Sequence, residues 1–168
     1  SIKIFQAIPF ALSNAIKFYN LNTKQIALSC SSHNGEKFHI KELKDWLKKV
    51  DIKKNYLKCG IHNPLDKASS EKLLLLGSKP NQIHNNCAGK HLAMLSSCKI
   101  NKYNFDNYVD LNHPHQKRIR KVFSEFTESK IFKFQYGIDG CSAPQYAFPF
   151  KNLSIAMINL IKHYQEKL

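Results

Sequence analysis

The sequence predicts a helix-rich α/β fold from two patterns of apolar residues. Several segments place apolar residues three or four positions apart, the spacing that gives a helix one buried face. The segment Ile131–Gly140 instead alternates aromatic and polar residues, which is typical of a strand, and Cys141–Phe150 after it is predicted to be extended. At 168 residues the chain is long enough for one domain with a substantial core. We therefore expect residues 1–168 to form a single domain.

The helices are predicted from this spacing in chain order. The first, within residues 1–20, has an apolar period near 3.6, and Pro9 is expected to kink it because proline lacks a backbone N–H. Ser69 or Ser70 is expected to cap the helix over Ser69–Gly77. The remaining predicted helices are Leu43–Val50, Gly89–Cys98, His115–Phe126 and Leu153–Tyr164.

The formal net charge of +14 does not by itself indicate a nucleic-acid-binding protein. The lysines are spread from Lys3 to Lys167, and the one dense basic cluster is Lys117–Lys121. Only Arg118 and Arg120 could read bases or phosphates with two parallel hydrogen bonds. We therefore expect no nucleic-acid partner.

Membrane insertion and secretion are also disfavoured. No apolar run reaches the roughly 18 residues that a membrane span requires, and no basic segment of signal-peptide type precedes the apolar residues Ile4–Leu12. The five cysteines are odd in number and irregularly spaced, unlike the disulfide framework of a secreted protein. We expect a cytoplasmic protein with no membrane partner, whose cysteines are reduced or bind a metal.

The segment HNNCAGKH carries an unusual density of polar and small residues at a predicted helix start. Asn85 or Asn86 can cap that helix. Gly89 costs about 1 kcal/mol relative to alanine inside a helix, so it indicates close approach either by a ligand or by another segment. The helix dipole and the charge of Lys90 both favour the thiolate form of Cys87. A functional interpretation is therefore favoured over capping alone.

Two further loops have a similar composition. Ser29–His39 contains Ser32 and His33 and is equally typical of a simple turn. Gly137–Pro144 places Asp139 between glycines at the end of the predicted strand, where open α/β sheets bind ligands. Each loop alone is a weak indication of function.

Taken together, the motifs resemble the bacterial L-asparaginase II family, the Rhizobium type called class 3. The matching motifs are KxFQA, SSHNGE, HNNCAGKHxxML, HPxQxxIRxVF and GIDGCSAPxYAFP, and they extend from Lys3 to about Asn159. The resemblance implies a fold similar to serine β-lactamases and penicillin-binding proteins. It also implies hydrolysis of L-asparagine to L-aspartate and ammonia through serine–lysine pairs. L-Asparagine is then the expected small-molecule partner, and a homodimer is a further expectation.

The resemblance also assigns roles to individual residues of this chain. The implied roles are catalytic for Lys3 and Ser32, substrate binding for His33 and Asp139, and zinc binding for Cys87, Lys90 and Cys141. Two thiolates suit Zn²⁺ well, whereas a lysine can bind a metal only as the free amine, so the metal must lower its pKa. A lysine can activate a hydroxyl if burial or nearby cations keep it neutral. The other cysteines, Cys30, Cys59 and Cys98, are expected to be inert core thiols.

The family pattern places two catalytic groups outside these 168 residues. The nucleophilic serine would lie three positions before Lys3, and the second catalytic lysine would lie beyond Leu168. We therefore expect residues 1–168 to be the central part of an asparaginase domain that shows no turnover on its own. The alternative interpretation is a catalytically inactive domain that retains zinc binding.

Overall fold

A computed structural model describes residues 2–165 of the chain, and most of them are helical. The α-helices are α1 Lys3–Ala11, α2 Ala15–Phe18, α3 Thr23–Ser29, α4 Lys37–Val50, α5 Lys67–Leu75, α6 Ala88–Ile100, α7 Pro114–Phe126 and α8 Phe150–Gln165. Short 3₁₀ turns lie at Lys54–Tyr56 and Gln82–His84. Strands β1 Tyr136–Ile138 and β2 Pro144–Tyr146 pair antiparallel. The predicted helix-rich α/β composition is confirmed.

Helix α6 is the centre of the core. Helices α1, α3 and α4 pack against it, and all of its residues from Ala88 to Cys98 are buried. A helix that is buried on every side has no polar face, and this explains why its sequence lacks a strong amphipathic pattern. The polar residues of its first turn, including Lys90 and His91, must therefore find partners inside the protein.

Gly89 lies where α6 meets α3 at close range. A Cβ atom built on Gly89 would lie 2.2 Å from the backbone oxygen of Leu28, a distance that no side chain can adopt. Of the two explanations left open by the sequence, approach by another segment is the one observed. This contact holds the start of α6 against the end of α3, the helix that leads into the loop carrying Ser32.

The first predicted helix is two helices. Helix α1 continues through Pro9 to Ala11, and α2 begins only at Ala15. Between them Asn14, the N-cap of α2, adopts a left-handed backbone conformation with φ of 66°. The predicted single helix is therefore interrupted at Leu12–Asn14, and Pro9 lies within α1.

Three other local predictions need correction. Helix α3 was not predicted, and its start is fixed by a capping box in which Asn22 and Gln25 exchange hydrogen bonds. Neither Ser69 nor Ser70 caps α5, because the Asp66 carboxylate accepts the Ser69 N–H at 2.7 Å. Helix α4 begins at Lys37, six residues before the predicted start.

The predicted strand is also shorter than expected. Within Ile131–Gly140 only β1 is a strand, and all three of its residues are exposed. Its partner β2 lies in the segment that was predicted to be extended. None of the helices between residues 2 and 165 combines the length and apolarity needed to cross a membrane.

Replacing Gly89 tests the contact between α6 and α3. We expect Gly89→Ala to lower the free energy of unfolding by about 3 kcal/mol or more, because a backbone atom rather than a flexible side chain blocks the methyl group. Gly137→Ala is the control, since a Cβ there meets nothing within 4 Å. Urea denaturation measures both, and equal stabilities of the two variants would contradict the assigned contact.

His115 on α7 predicts a loss of stability in acid. Its imidazole is fully buried, and burial lowers its pKa to about 3, with smaller contributions from His113 and Arg118. As pH falls below about 6.5, the unfolded chain takes up a proton at this residue and the folded chain does not. The contribution of neutral His115 to the free energy of unfolding is therefore fully present above about pH 6.5. Below that pH it falls by about 1.4 kcal/mol per pH unit.

The measurement is urea denaturation at pH 7 and pH 5. Between pH 7 and pH 5 the free energy of unfolding should fall in both proteins. The fall should be about 2 kcal/mol smaller in His115→Leu than in the unmodified protein. His163→Gln, which changes an exposed histidine, should leave the loss unchanged. The same pH dependence in the His115→Leu variant would refute this origin.

Candidate active site and metal centre

The polar loops identified from the sequence converge at the start of α6. Helix α1 supplies Lys3 from its first turn, and the loop after α3 supplies Ser32 and His33. The first turn of α6 supplies Lys90 next to its N-cap Cys87. The turn between β1 and β2 supplies Asp139 and Cys141. Segments far apart in sequence therefore contribute to one site.

Lys3 and Ser32 are in direct contact. The Lys3 Nζ donates a hydrogen bond to the Ser32 Oγ at 2.6 Å and a longer one to the Ser31 carbonyl oxygen at 3.5 Å. Lys3 is buried, whereas Ser32 is exposed. A shielded amine thus holds a hydroxyl that remains open to solvent. This arrangement can transfer a proton to or from a bound molecule.

The same lysine reaches the thiol of Cys87, with its Nζ 3.4 Å from the Cys87 Sγ. The pKa of Cys87 is lowered to about 6, chiefly because the Cys141 thiol donates a hydrogen bond to it. Burial opposes that shift, and the charges of Lys90 and Lys3 add to it. The hydrogen bond to Cys87, together with burial, raises the pKa of Cys141 to about 11. At neutral pH the metal-free pair is therefore one thiolate and one thiol.

Asp139 connects the thiols to Lys90. The Lys90 Nζ donates to the Asp139 Oδ2 at 3.2 Å, and Lys90 is almost completely buried. The Asp139 Oδ2 also accepts from the Gln145 Nε2 at 3.1 Å and lies 3.5 Å from the Cys141 Sγ. Burial acts to lower the pKa of Lys90, but the two thiols and Asp139 outweigh it, so the pKa is raised. Lys90 is therefore an ammonium group paired with a carboxylate.

The donor atoms around Asp139 fit a zinc ion. The sulfurs of Cys87 and Cys141 and a carboxylate oxygen of Asp139 all lie within 4.8 Å of one another. Thiolates and carboxylates are donors that Zn²⁺ accepts. Lys90 lies beside this group, but its ammonium would have to lose a proton before it could bind a metal. The three residues implied by the resemblance are thus brought together, with Asp139 as an additional donor.

His33 is a buried neutral donor. Its Nδ1 accepts the Gly35 N–H at 3.1 Å, so the ring proton is assigned to Nε2. Within the described part of the chain, the buried Nε2 has no partner in full hydrogen-bond geometry, although the ring interacts with the Asn85 backbone. Burial, together with the charges of nearby His39, His62 and Lys3, lowers the pKa of His33 to about 4, and the interaction with the Asn85 backbone opposes that shift. The imidazole is therefore neutral at pH 7 and has an N–H available to an acceptor.

Several contacts that position the site differ from those predicted. The predicted N-cap is wrong, because Cys87 rather than Asn85 or Asn86 is the N-cap of α6, and the Asn85 Oδ1 accepts the Cys87 N–H at 2.9 Å. The Asn86 N–H is instead bound by the His62 Nε2 at 3.1 Å. Gln145, which fixes Asp139, lies on β2 within the recognised motif. Nothing local in the sequence indicates the part played by His62.

The remaining cysteines differ from one another. Cys59 and Cys98 are buried, and burial raises the pKa of each to about 12, as expected for inert core thiols. Cys30 is only partly buried at the end of α3, so its predicted place in the core is wrong.

A protein-family model matches almost the entire chain. The model described as L-asparaginase II matches residues 1–167. A search among curated proteins found no match. The matched region includes every site residue described above, from Lys3 to Gln145.

The contrast among the thiols can be measured in the metal-free protein. At pH 7.5 we expect iodoacetamide to modify Cys87 at least about tenfold faster than Cys59 or Cys98, because the thiolate is the reactive form. Mass spectrometry of the resulting peptides gives the rate at each residue. Similar rates at Cys87 and Cys98 would contradict the assigned thiolate.

Proposed function

The chain belongs to the L-asparaginase II family, and we propose that the complete protein to which residues 1–168 contribute hydrolyses the side-chain amide of L-asparagine to L-aspartate and ammonia. The observation that carries the proposal is the 2.6 Å hydrogen bond between Lys3 and Ser32. A buried amine joined to an accessible hydroxyl provides the proton transfer that amide hydrolysis requires. A fold similar to that of serine β-lactamases is part of the same proposal, and the helical core is compatible with it.

The reaction proceeds through an acyl-enzyme. The nucleophilic serine, which the family pattern places one helical turn before Lys3, attacks the amide carbon and loses its proton to Lys3. The carbon–nitrogen bond then breaks, and a proton delivered through Lys3 and Ser32 converts the leaving amide nitrogen to ammonia. Water attacks the acyl-enzyme, which releases aspartate and returns the proton to the serine.

His33 and Asp139 contact the polar groups of the substrate. The His33 Nε2–H has no partner in full hydrogen-bond geometry among the described residues and donates to a substrate oxygen. The Asp139 side chain, which is about one-third exposed, accepts a hydrogen bond from the substrate ammonium. A neutral donor and a negatively charged acceptor together match an amino acid.

Cys87, Cys141 and, after loss of a proton, Lys90 would hold a zinc ion, with Asp139 as a neighbouring donor. When bound, zinc supplies positive charge and fixes the groups that coordinate it. Cys87 begins α6 and Cys141 follows β1, so the residues that hold the ion also join the helix to the hairpin.

Substitution of the Ser–Lys contact tests the reaction. In protein expressed from the complete reading frame, we expect Lys3→Met and Ser32→Ala each to lower kcat for ammonia release from L-asparagine by about 100-fold or more. Lys67→Met is the control, because Lys67 is almost fully exposed and its one ion pair among residues 2–165 is with Glu71. Ammonia is measured with a coupled dehydrogenase assay, and bound zinc is measured in each variant.

Two results would overturn the proposal in different ways. Full activity in the Lys3→Met variant would exclude the assigned proton transfer. Zinc binding without turnover in the unsubstituted protein expressed from the complete reading frame would instead favour the alternative, a catalytically inactive zinc-binding domain.

A further inference from the structure

Gln6 on α1 is a buried polar residue of the motif KxFQA that the proposed reaction does not use. Its side chain is 2% exposed and lies one helical turn after Lys3, on the same face of the helix. The Gln6 Nε2 donates a hydrogen bond to the backbone oxygen of Pro144, the first residue of β2, at 3.3 Å. A carbonyl oxygen can only accept, so this contact also determines which end of the Gln6 amide faces the hairpin.

The contact with Pro144 leads directly to Asp139. Gln145 follows Pro144 in β2, and its Nε2 donates to the Asp139 Oδ2 at 3.1 Å. The Asp139 N–H donates to the Ala143 carbonyl oxygen at 2.9 Å, which closes the turn that carries the carboxylate. Gln6 therefore joins α1 to the strand that orients the Asp139 side chain.

The Gln6 amide has only half of its hydrogen-bonding capacity satisfied in a buried position. Within residues 2–165, its Oε1 is buried and has no hydrogen-bond partner. A buried acceptor without a partner costs free energy, and this cost offsets much of the gain from the bond to Pro144. An apolar side chain of the same length would give a fold of similar stability. Stability alone therefore does not account for a glutamine at this position.

We propose that Gln6 is a positioning residue that holds β2 against α1, so that Asp139 is placed to bind the substrate ammonium. The inference rests on the proposed function, in which Asp139 accepts a hydrogen bond from that ammonium. Gln6 touches no reacting atom in this role. Its loss weakens recognition of the ammonium and leaves proton transfer between Lys3 and Ser32 in place.

Steady-state kinetics of the protein expressed from the complete reading frame test this role. Gln6→Met keeps the length of the side chain and removes the hydrogen bond to Pro144. We expect it to raise KM for L-asparagine about tenfold, because a contact between charged groups is misplaced, and to change kcat by less than about threefold. Succinamate, which is L-asparagine without its ammonium group, is measured as a competitive inhibitor. Its Ki should stay within about twofold of the value for the unsubstituted protein.

Gln116→Met is the matched control. Gln116 on α7 is also a buried glutamine, and its Nε2 donates to the backbone oxygen of Tyr108 at 2.9 Å. This variant should leave the KM for L-asparagine and the Ki for succinamate unchanged, even where it lowers the urea midpoint. If Gln6→Met fails to fold, as judged by circular dichroism, Gln6→Asn replaces it, because the shorter amide cannot reach Pro144.

Hydrogen exchange followed by mass spectrometry detects the contact without any turnover. In Gln6→Met the amides of residues 135–147 should exchange at least about fivefold faster, since the hairpin has lost one anchor on the core. The amides of α4 should keep their rates, because the change is local. Gln116→Met should leave the rates of residues 135–147 unchanged.

The outcomes separate this inference from the proposed function. If the unsubstituted protein releases no ammonia from L-asparagine, the proposed function is wrong, and hydrogen exchange alone decides whether Gln6 anchors the hairpin. If the protein is active, an unchanged KM in Gln6→Met overturns the positioning role. An equal rise in the KM for L-asparagine and the Ki for succinamate also overturns it, because the loss then does not concern the ammonium.

Discussion

The burial of the first turn of α6 is the constraint on which the rest of the site depends. A helix that begins inside the core brings its unpaired N–H groups and its polar side chains out of water, and each needs a partner there. Asn85 binds the Cys87 N–H, Asp139 pairs with Lys90, and Tyr108 binds His91. These partners come from separate segments, so satisfying the helix start also assembles the site.

The contact between Gly89 and Leu28 makes this arrangement possible. It allows α6 to lie against α3 at a distance that admits no side chain, and α3 leads directly to Ser32. The Lys3 Nζ can then reach both the Ser32 hydroxyl and the Cys87 thiol. Proton transfer and metal binding, the two proposed activities, therefore share one lysine.

Much of the site could be predicted from the sequence, because its residues lie in short motifs with their own local chemistry. The cysteine, lysine and glycine of HNNCAGKH pointed to a helix start with a thiolate and a close approach, and all three features are present. Contacts between distant segments could not be predicted in this way. Tyr108 has no local feature that indicates His91 as its partner, and His62 lies 24 residues from the backbone it caps.

The fold was predicted less evenly, and the errors have local causes. Helices with apolar stripes were found, whereas α3 was missed because a capping box rather than a long apolar stripe fixes its start. The break at Asn14 depends on a left-handed residue within an uninterrupted apolar period. Strand β1 is short because its apolar residues lie on an exposed face, where alternation does not indicate burial.

The hairpin formed by β1 and β2 also affects the free energy of ligand binding at this site. Asp139 and Cys141 lie between two three-residue strands, and a two-stranded hairpin of this kind is only marginally stable by itself. Their counterparts Cys87 and Lys90 lie on a helix held by the whole core. Cys141, Ala143 and Tyr146 are buried and β2 packs against α7, so the order of the hairpin comes from its packing on the core. Affinity at this site then depends on the stability of the hairpin as well as on the bonds to the ligand.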